Sequence, residues 1–196
     1  LLTDYPDVRL RAYGGDDGSI QDLEFLLFFP MLKHFAVNVF ELRSIDGLRH
    51  LPSTLRSLDL GATRFRAFSL LAITRFPHLR SLYIEGHSRD FDAVSQLSEL
   101  ENLTLRSITL RDLSALLPLR QLRSLDIKLG GTKDLRLLPD IGQLRYLELW
   151  MVKGLSDLAP VGSIRTLQHL VLQALRQVSI LPPLGELANL RRIHLE

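Results

Sequence analysis

Apolar side chains recur along this chain in groups with the spacing Leu-x-x-Leu-x-Leu. The clear groups start at residues 55, 79, 100, 122, 144, 167 and 190, and a weaker one starts at residue 32. Consecutive starts lie 21 to 24 residues apart. The alternation of apolar and polar residues within each group predicts a β-strand with one buried face. A still weaker copy, Tyr5, Val8 and Leu10, precedes them.

The first, fourth and sixth positions of each group are apolar and are expected to face a core. The third, fifth and seventh positions then face the opposite way. One such repeat cannot bury its apolar face alone, so successive repeats must stack and their strands form a parallel sheet. Apolar residues between the strands predict short helical or 3₁₀ turns that fill the core from the other side. Examples are Phe68, Leu71 and Ile73, and later Leu113, Leu116 and Leu117.

This pattern resembles the leucine-rich-repeat family, whose repeats span about 20–29 residues. The segment 108–116 resembles the short bacterial repeats of internalin-type proteins, and the segment 181–187 resembles plant-type repeats. The resemblance implies an α/β solenoid with a parallel concave β-sheet and short helical or 3₁₀ segments on its convex side. One feature departs from the family, which usually has Asn or Cys at the ninth position. Here the ninth residues are Phe40, Thr63, His87, Ile108, Gly130, Val152 and Leu175.

Residues 1–196 are interpreted as one leucine-rich-repeat domain. Residues 32–196 hold about eight repeats, and residues 1–31 form a degenerate N-terminal repeat or cap. Within it, the segment Ser19-Ile20-Gln21-Asp22 resembles a capping box and predicts a helical run that ends at Pro30. No C-terminal cap is evident in the sequence, which ends within a strand motif.

Composition narrows the classes of function. The net charge of +2 is too small to indicate nucleic acid or an anionic membrane as the partner. The absence of cysteine excludes a disulfide scaffold, a Cys-ligated zinc and a catalytic thiol, and it fits the reducing cytoplasm. We therefore expect a cytoplasmic protein, with secretion or injection into a host cell as the alternative. No apolar run approaches the ~20 residues that a membrane helix needs, so no membrane span is expected.

Catalytic and metal-binding motifs are missing from the sequence. The six histidines form no His-x-x-x-His pair, and there is no Gly-x-Ser-x-Gly elbow or phosphate-binding loop. Asp16 and Asp17 in a glycine-rich loop are a weak calcium signal, and a solvated turn explains them better. Asp126 and Glu148 are expected on adjacent strands, where a charge patch explains them better than acid–base catalysis. We predict no enzyme activity, no metal and no cofactor.

The concave sheet is the extended binding surface of such a solenoid. Acids at its outward positions, interspersed with two cations, predict a surface that selects a partner with partly basic groups. The alternative is local pairing of these charges across adjacent strands. Outward-facing Tyr and Trp residues predict an interface hot spot, unless Trp150 merely packs over a neighbouring turn. The candidate partner-binding residues are Asp59, Tyr83, Glu85, Arg106, Asp126, Lys128, Tyr146, Glu148 and Trp150.

Arginines at the second motif position predict a basic rim along the sheet: Arg56, Arg80, Arg123, Arg145 and Arg191. A solvated face is the better interpretation, so nucleic-acid binding is not expected. The resulting hypothesis is a protein–protein recognition module that binds on its concave face, as a bacterial effector or immunity-type protein. The alternative is a substrate-targeting or regulatory domain of a larger protein. Neither the partner nor the oligomeric state follows from the sequence.

Overall fold

The computed structural model describes residues 8–14, 18–64 and 68–196. Strands in these residues are β1 (Arg9–Gly14), β2 (His34–Val39), β3 (Ser57–Leu60), β4 (Ser81–Glu85), β5 (Asn102–Arg106), β6 (Ser124–Lys128), β7 (Tyr146–Trp150), β8 (His169–Gln173) and β9 (Arg192–Leu195). The helices described are all 3₁₀: Glu24–Phe28, Asp46–His50, Leu70–Arg75, Phe91–Gln96, Ser114–Leu116, Leu138–Asp140 and Ala159–Ser163.

The chain divides into two compact units, Leu1–Leu100 and Glu101–Glu196. In the first unit, β1 to β4 follow one another in chain order, and each pairs in parallel with the next. In the second unit, β5 to β9 do the same. Each strand from β2 to β9 begins at the third position of a predicted repeat. Residues that pair across neighbouring strands occupy the same position of their repeats, as Asp126 and Glu148 do, so the predicted register is confirmed.

The core of each unit consists of the apolar motif positions. Leu103, Leu125 and Leu147, at the fourth position of three successive repeats, are completely buried. The first and sixth positions of these repeats are also buried, because a parallel ladder stacks equal positions on one another. The last strand differs, since Ile193 and Leu195 of β9 are 41% and 52% exposed.

The return segments begin with a recurring turn in which a side-chain oxygen accepts a hydrogen bond from the backbone N–H two residues later. Asp residues provide this oxygen in four repeats and Ser residues in two, namely Asp22, Ser44, Ser69, Asp112, Asp134 and Asp157. The residue after each is apolar and buried, for example Leu113 and Leu158. The carbonyl of that apolar residue then accepts the N–H three residues on, which forms the 3₁₀ turn.

Two expectations for the N-terminal region are wrong. Leu10 pairs with Phe35, the fourth position of its repeat, so the weak copy Tyr5, Val8 and Leu10 is out of register by two residues. A polar segment with little apolar content left this register unspecified. Tyr5 itself lies outside the described residues. So do Asp16 and Asp17, for which a solvated turn is preferred to a calcium site.

The predicted capping box is also wrong. The helix begins at Glu24 rather than after Ser19, and its N-cap residue, Leu23, makes no side-chain capping bond. Instead, Asp22 Oδ1 accepts a hydrogen bond from the Glu24 N–H at 3.0 Å, as in the later repeats. Among the predicted core residues of the return segments, Ile73, Leu113 and Leu116 are buried, whereas Leu71 is 58% exposed. The three-residue period of a 3₁₀ helix places Leu70, not Leu71, beside Ile73.

Candidate functional site

All nine predicted partner-binding residues lie on strands, with their side chains half-buried and opposite the core. We call this side of each sheet, formed by the third, fifth and seventh motif positions, the strand face. Three of the nine belong to the first unit: Asp59 on β3, and Tyr83 and Glu85 on β4. Six belong to the second unit: Arg106 on β5, Asp126 and Lys128 on β6, and Tyr146, Glu148 and Trp150 on β7.

A hydrogen-bonded charge cluster occupies the strand face of the second unit. Lys128 Nζ lies 3.1 Å from Asp126 Oδ1 and 2.9 Å from Glu148 Oε2, so one ammonium bridges two carboxyl groups. The Tyr146 hydroxyl donates to Glu148 Oε2 at 2.8 Å, and the Thr104 hydroxyl donates to Asp126 Oδ2 at 3.2 Å. The local pairing of charges across adjacent strands, which is the alternative to a partner-selecting surface, is therefore present at this point.

The two carboxyl groups of the cluster ionise differently. Burial, together with a hydrogen bond to Glu148, raises the pKa of Asp126 to about 6, although Lys128 opposes this. Burial alone would raise the pKa of Glu148, but hydrogen bonds from Asp126, Lys128 and Tyr146 lower it below its ordinary value. Below about pH 6, a protonated Asp126 can thus donate a hydrogen bond to an ionised Glu148.

The same environment shifts the pKa values of the two donors. Burial disfavours the charged form of Lys128, yet its hydrogen bonds and ion pairs with Glu148 and Asp126 raise its pKa overall. Burial and the hydrogen bond to Glu148 raise the pKa of the Tyr146 hydroxyl, which therefore stays a neutral donor. Each polar group in the cluster has a partner, as half-buried polar groups require.

Aromatic rings flank the charge cluster. The guanidinium carbon of Arg106 lies 5.4 Å from the centroid of the Trp150 ring, within the range of a cation–π contact. Arg106 and Trp150 belong to β5 and β7, so the contact spans the strand that carries Lys128. On the other side, the Tyr146 ring packs edge-on against His169 of β8, with centroids 6.5 Å apart. The second unit therefore gathers six predicted residues into one patch, which we call the β5–β8 patch.

The first unit brings its three predicted residues together on neighbouring strands. Asp59 is paired with Tyr83 across β3 and β4, and the Tyr83 hydroxyl donates to Glu85 Oε2 at 2.7 Å. Burial raises the pKa of Asp59, while the charges of Arg11 and Arg9 on β1 oppose the shift.

Sequence reasoning left out two residues of the β5–β8 patch, Thr104 and His169. Both are at outward motif positions, so the register could have identified them, but neither residue type signals an interface by itself. It also missed the role of the ninth position. His87 is 2% exposed, its Nε2 lies 3.0 Å from the Gly61 carbonyl, and burial lowers its pKa. Among the described residues, its Nδ1 has no hydrogen-bond partner.

In the described part of the chain, no three His, Asp or Glu side chains are grouped as metal ligands would be. No helix in those residues is both long and apolar enough to cross a membrane. The arginine rim is partly paired, since Arg56 Nη1 lies 3.2 Å from Glu99 Oε2.

No family model and no curated protein matches this sequence. Solved structures do match. Internalin C2 from Listeria monocytogenes is 23% identical with a TM-score of 0.68, over 90% of this chain and 76% of that one. Internalin F from the same organism is 21% identical with a TM-score of 0.72, over 89% of this chain and 51% of that one. A plant peptide hormone receptor, RGFR1 in complex with RGF2, is 15% identical with a TM-score of 0.60, over 97% and 34%.

These likenesses concern the fold. Parallel strands in repeat register, joined by short 3₁₀ returns, give this chain the leucine-rich-repeat fold that the spacing of its leucines predicted. The chain spans about half of internalin F and about a third of the plant receptor.

Proposed function

We propose that this chain is a protein-recognition module that binds its partner on the strand face, with the β5–β8 patch as the main contact. The observation that carries the proposal is the juxtaposition of Trp150, Tyr146 and Arg106 around a hydrogen-bonded charge cluster. Trp, Tyr and Arg are the residue types that contribute most binding energy at protein interfaces.

The patch is preorganised for binding. Arg106 is stacked on Trp150, and Tyr146 is held between Glu148 and His169, so these side chains lose little further freedom when a partner arrives. Their half-burial still leaves ring surface available for contact.

The cluster also limits the chemistry of the partner. Lys128 already neutralises part of the negative charge of Asp126 and Glu148, so attraction at long range is weak. We expect a partner that places an apolar or aromatic side chain on Trp150 and Tyr146. A basic or amide group next to it would then bond the carboxyl oxygens of Glu148.

The leucine-rich-repeat structures that resemble this chain include a receptor bound to a peptide hormone, which supports macromolecular recognition by analogy. The short repeats shared with internalins support the effector or immunity-type role. A cytoplasmic location remains a prediction from composition. If the chain is instead a targeting or regulatory domain, it would still bind its partner on the strand face. That partner would then be the substrate of another domain of the same protein.

A pull-down from a lysate of the native host tests the proposal. The wild-type chain is compared with Tyr146→Ala/Trp150→Ala and with a control, Phe28→Ala/Leu71→Ala, which truncates two exposed apolar side chains of 3₁₀ helices. Circular dichroism first verifies that each variant folds. We expect the wild type and the control to capture a common protein partner and the double strand-face variant to lose it, by about tenfold or more in affinity.

Equal capture by all three proteins would show that the β5–β8 patch is not the contact. Loss of capture only in the 3₁₀-helix variant would move the binding site to the return segments. Purified partner and isothermal titration calorimetry then give the dissociation constants on which the comparison rests.

A further inference from the structure

A cavity of about 380 Å³ lies beyond the carboxyl ends of β6, β7 and β8, apart from the strand-face side chains just described. It belongs entirely to the second unit. Leu129, Met151, Val152 and Ala174 supply apolar surface, and Lys153 and Arg176 supply positive charge. A cavity of this size is at the small end of ligand-binding pockets and can hold one large side chain with its neighbour.

Three residues of the apolar floor take a repeat position that the fold does not require to be apolar, since Gly86 and Ser107 take it in earlier repeats. Leu129, Met151 and Ala174 take the eighth position of three successive repeats, with φ values of 57°, 50° and 50°. The N–H groups of Leu129 and Met151 continue the ladder by bonding the last carbonyl of the next strand, as Met151 does to Gln173 at 2.9 Å. The Ala174 N–H bonds the Glu196 carbonyl, just after β9, at 2.7 Å.

Side chains are costly in this left-handed conformation, by about 1–2 kcal/mol relative to glycine. Gly86 takes the same position in an earlier repeat with φ 76°, so glycine can make this turn. Met151 is nevertheless 40% exposed, and therefore gains little from the core. An exposed apolar side chain at this position is thus expected where its surface contacts a ligand or a partner.

The positively charged side chains around this floor have no acidic partner in the part of the chain that the structure describes. Lys153 and Arg176 are exposed, and Lys133 lies against Gly154, where a Cβ atom would come within 2.6 Å of Lys133 Cε. Within residues 8–14, 18–64 and 68–196, these three side chains form no ion pair or hydrogen bond. The described lining of the cavity also contains no acidic residue.

We propose that this cavity docks a peptide segment of a protein partner in which a large apolar side chain is followed by carboxylates. The apolar side chain would cover Met151 and Ala174, and the carboxylates would pair with Lys153, Arg176 and Lys133. Charge complementarity selects this occupant, because a basic segment would be repelled and an uncharged apolar one would leave the cations unpaired. The site does not depend on the strand face and stands if the β5–β8 patch proves inert.

Fluorescence polarisation with three labelled, end-blocked peptides tests the proposal. The probes are Gly-Ser-Leu-Glu-Glu-Ser-Gly, its Leu-Gln-Gln analogue and its Ala-Glu-Glu analogue. We expect the Leu-Glu-Glu peptide to bind with a dissociation constant of about 1 mM or below, and each analogue to bind about tenfold or more weakly. Chemical shifts of the Met151 methyl group and of the Lys153 and Arg176 amides should follow the same binding curve.

Variants identify the site and separate it from the strand face. Lys153→Glu/Arg176→Glu should no longer bind the Leu-Glu-Glu peptide and should instead bind a Leu-Lys-Lys peptide. Binding of the second peptide also shows that the variant is folded. Arg120→Glu, an exposed charge reversal elsewhere in the same unit, and Tyr146→Ala/Trp150→Ala should both keep binding.

Three results would overturn the proposal. The first is equal binding of all three peptides, or no saturation of the Leu-Glu-Glu peptide. The second is loss of binding in Tyr146→Ala/Trp150→Ala but not in the charge-reversal variant, which would assign the peptide to the strand face. The third is binding of octanoate as tight as that of the peptide, since the backbone would then contribute nothing and the occupant would be a small amphipathic anion.

Discussion

Asp126 and Glu148 are both half-buried carboxyl groups on neighbouring strands, yet one has a raised pKa and the other a lowered one. Burial raises the pKa of Asp126 most, and its hydrogen bond with Glu148 raises it further. Burial would raise the pKa of Glu148 as well, but hydrogen bonds with Asp126, Lys128 and Tyr146 lower it. At the scale of residues, the patch therefore changes its proton count close to physiological pH.

The first prediction concerns the pH dependence of stability at Asp126. Its folded pKa of about 6 lies above its ordinary value of 3.8. The stability that it contributes is therefore fully present below about pH 3.8 and is lost as the pH rises through about 6. Asp126→Asn should remove this loss, so its free energy of unfolding should fall less than that of the wild type between about pH 4 and 6.5.

Urea unfolding at several pH values in this window measures the difference. The stability that neutral His87 contributes to the protein is lost as the pH falls through its lowered pKa. This loss is common to the wild type and the variant, so it cancels in the comparison. Glu186→Gln, which alters an exposed carboxyl in the same unit, serves as the control. Parallel curves for wild type and Asp126→Asn would refute the assignment of a raised pKa to this residue.

At the level of single turns, the repeats lack the ninth-position asparagines that usually bond the turn backbone in leucine-rich repeats. In its place, the side chain of Thr109 accepts from the Gly131 N–H at 2.9 Å, and Thr132 accepts from the Leu110 N–H at 3.0 Å. His87 bonds the Gly61 carbonyl in a third turn. Different side chains thus bond backbone groups in these three turns, and of the three only His87 does so from the ninth position.

The second prediction concerns the turn that starts each 3₁₀ return. Ser44 Oγ accepts the Asp46 N–H at 3.0 Å, at the position where four other repeats have Asp. Ser44→Ala should lower the free energy of unfolding by about 1 kcal/mol, since the N–H loses its acceptor. Ser44→Asp keeps an acceptor and should stay within about 0.5 kcal/mol of the wild type in urea unfolding. Equal losses in both variants would mean that the hydroxyl acts by packing rather than as an acceptor.

At the scale of the whole molecule, stability depends on contacts between neighbouring repeats. Leu125 of β6 is fully buried and lies between Leu103 of β5 and Leu147 of β7 in the ladder. Leu125→Ala should cost about 2–5 kcal/mol, because it opens a cavity that rigid neighbours on both sides cannot fill. Leu181→Ala, at a 51% exposed residue, should cost about 0.5 kcal/mol or less.

Hydrogen exchange locates the effect of the Leu125 substitution. Because each repeat contacts only its neighbours, protection should fall most in β5, β6 and β7. A uniform fall throughout the second unit would instead indicate that its repeats unfold as one cooperative block.

The repeat, the strand register from β2 to β9 and the buried leucines could be predicted from the amino-acid pattern. Strands with one apolar face that recur about every 22 residues can bury those faces only by stacking in parallel. The pattern failed at the N-terminal end, where β1 is shifted by two residues and a 3₁₀ turn replaces the predicted helix. Which side chains act together became clear only from the folded chain. Lys128 lies between two carboxyl groups, and Lys153 and Arg176 lie around an apolar cavity. The local pattern of apolar and polar residues fixes which face of a strand a side chain occupies. Ion pairing, burial and pKa depend instead on residues about 22 positions away in the chain, which come into contact only when the repeats stack.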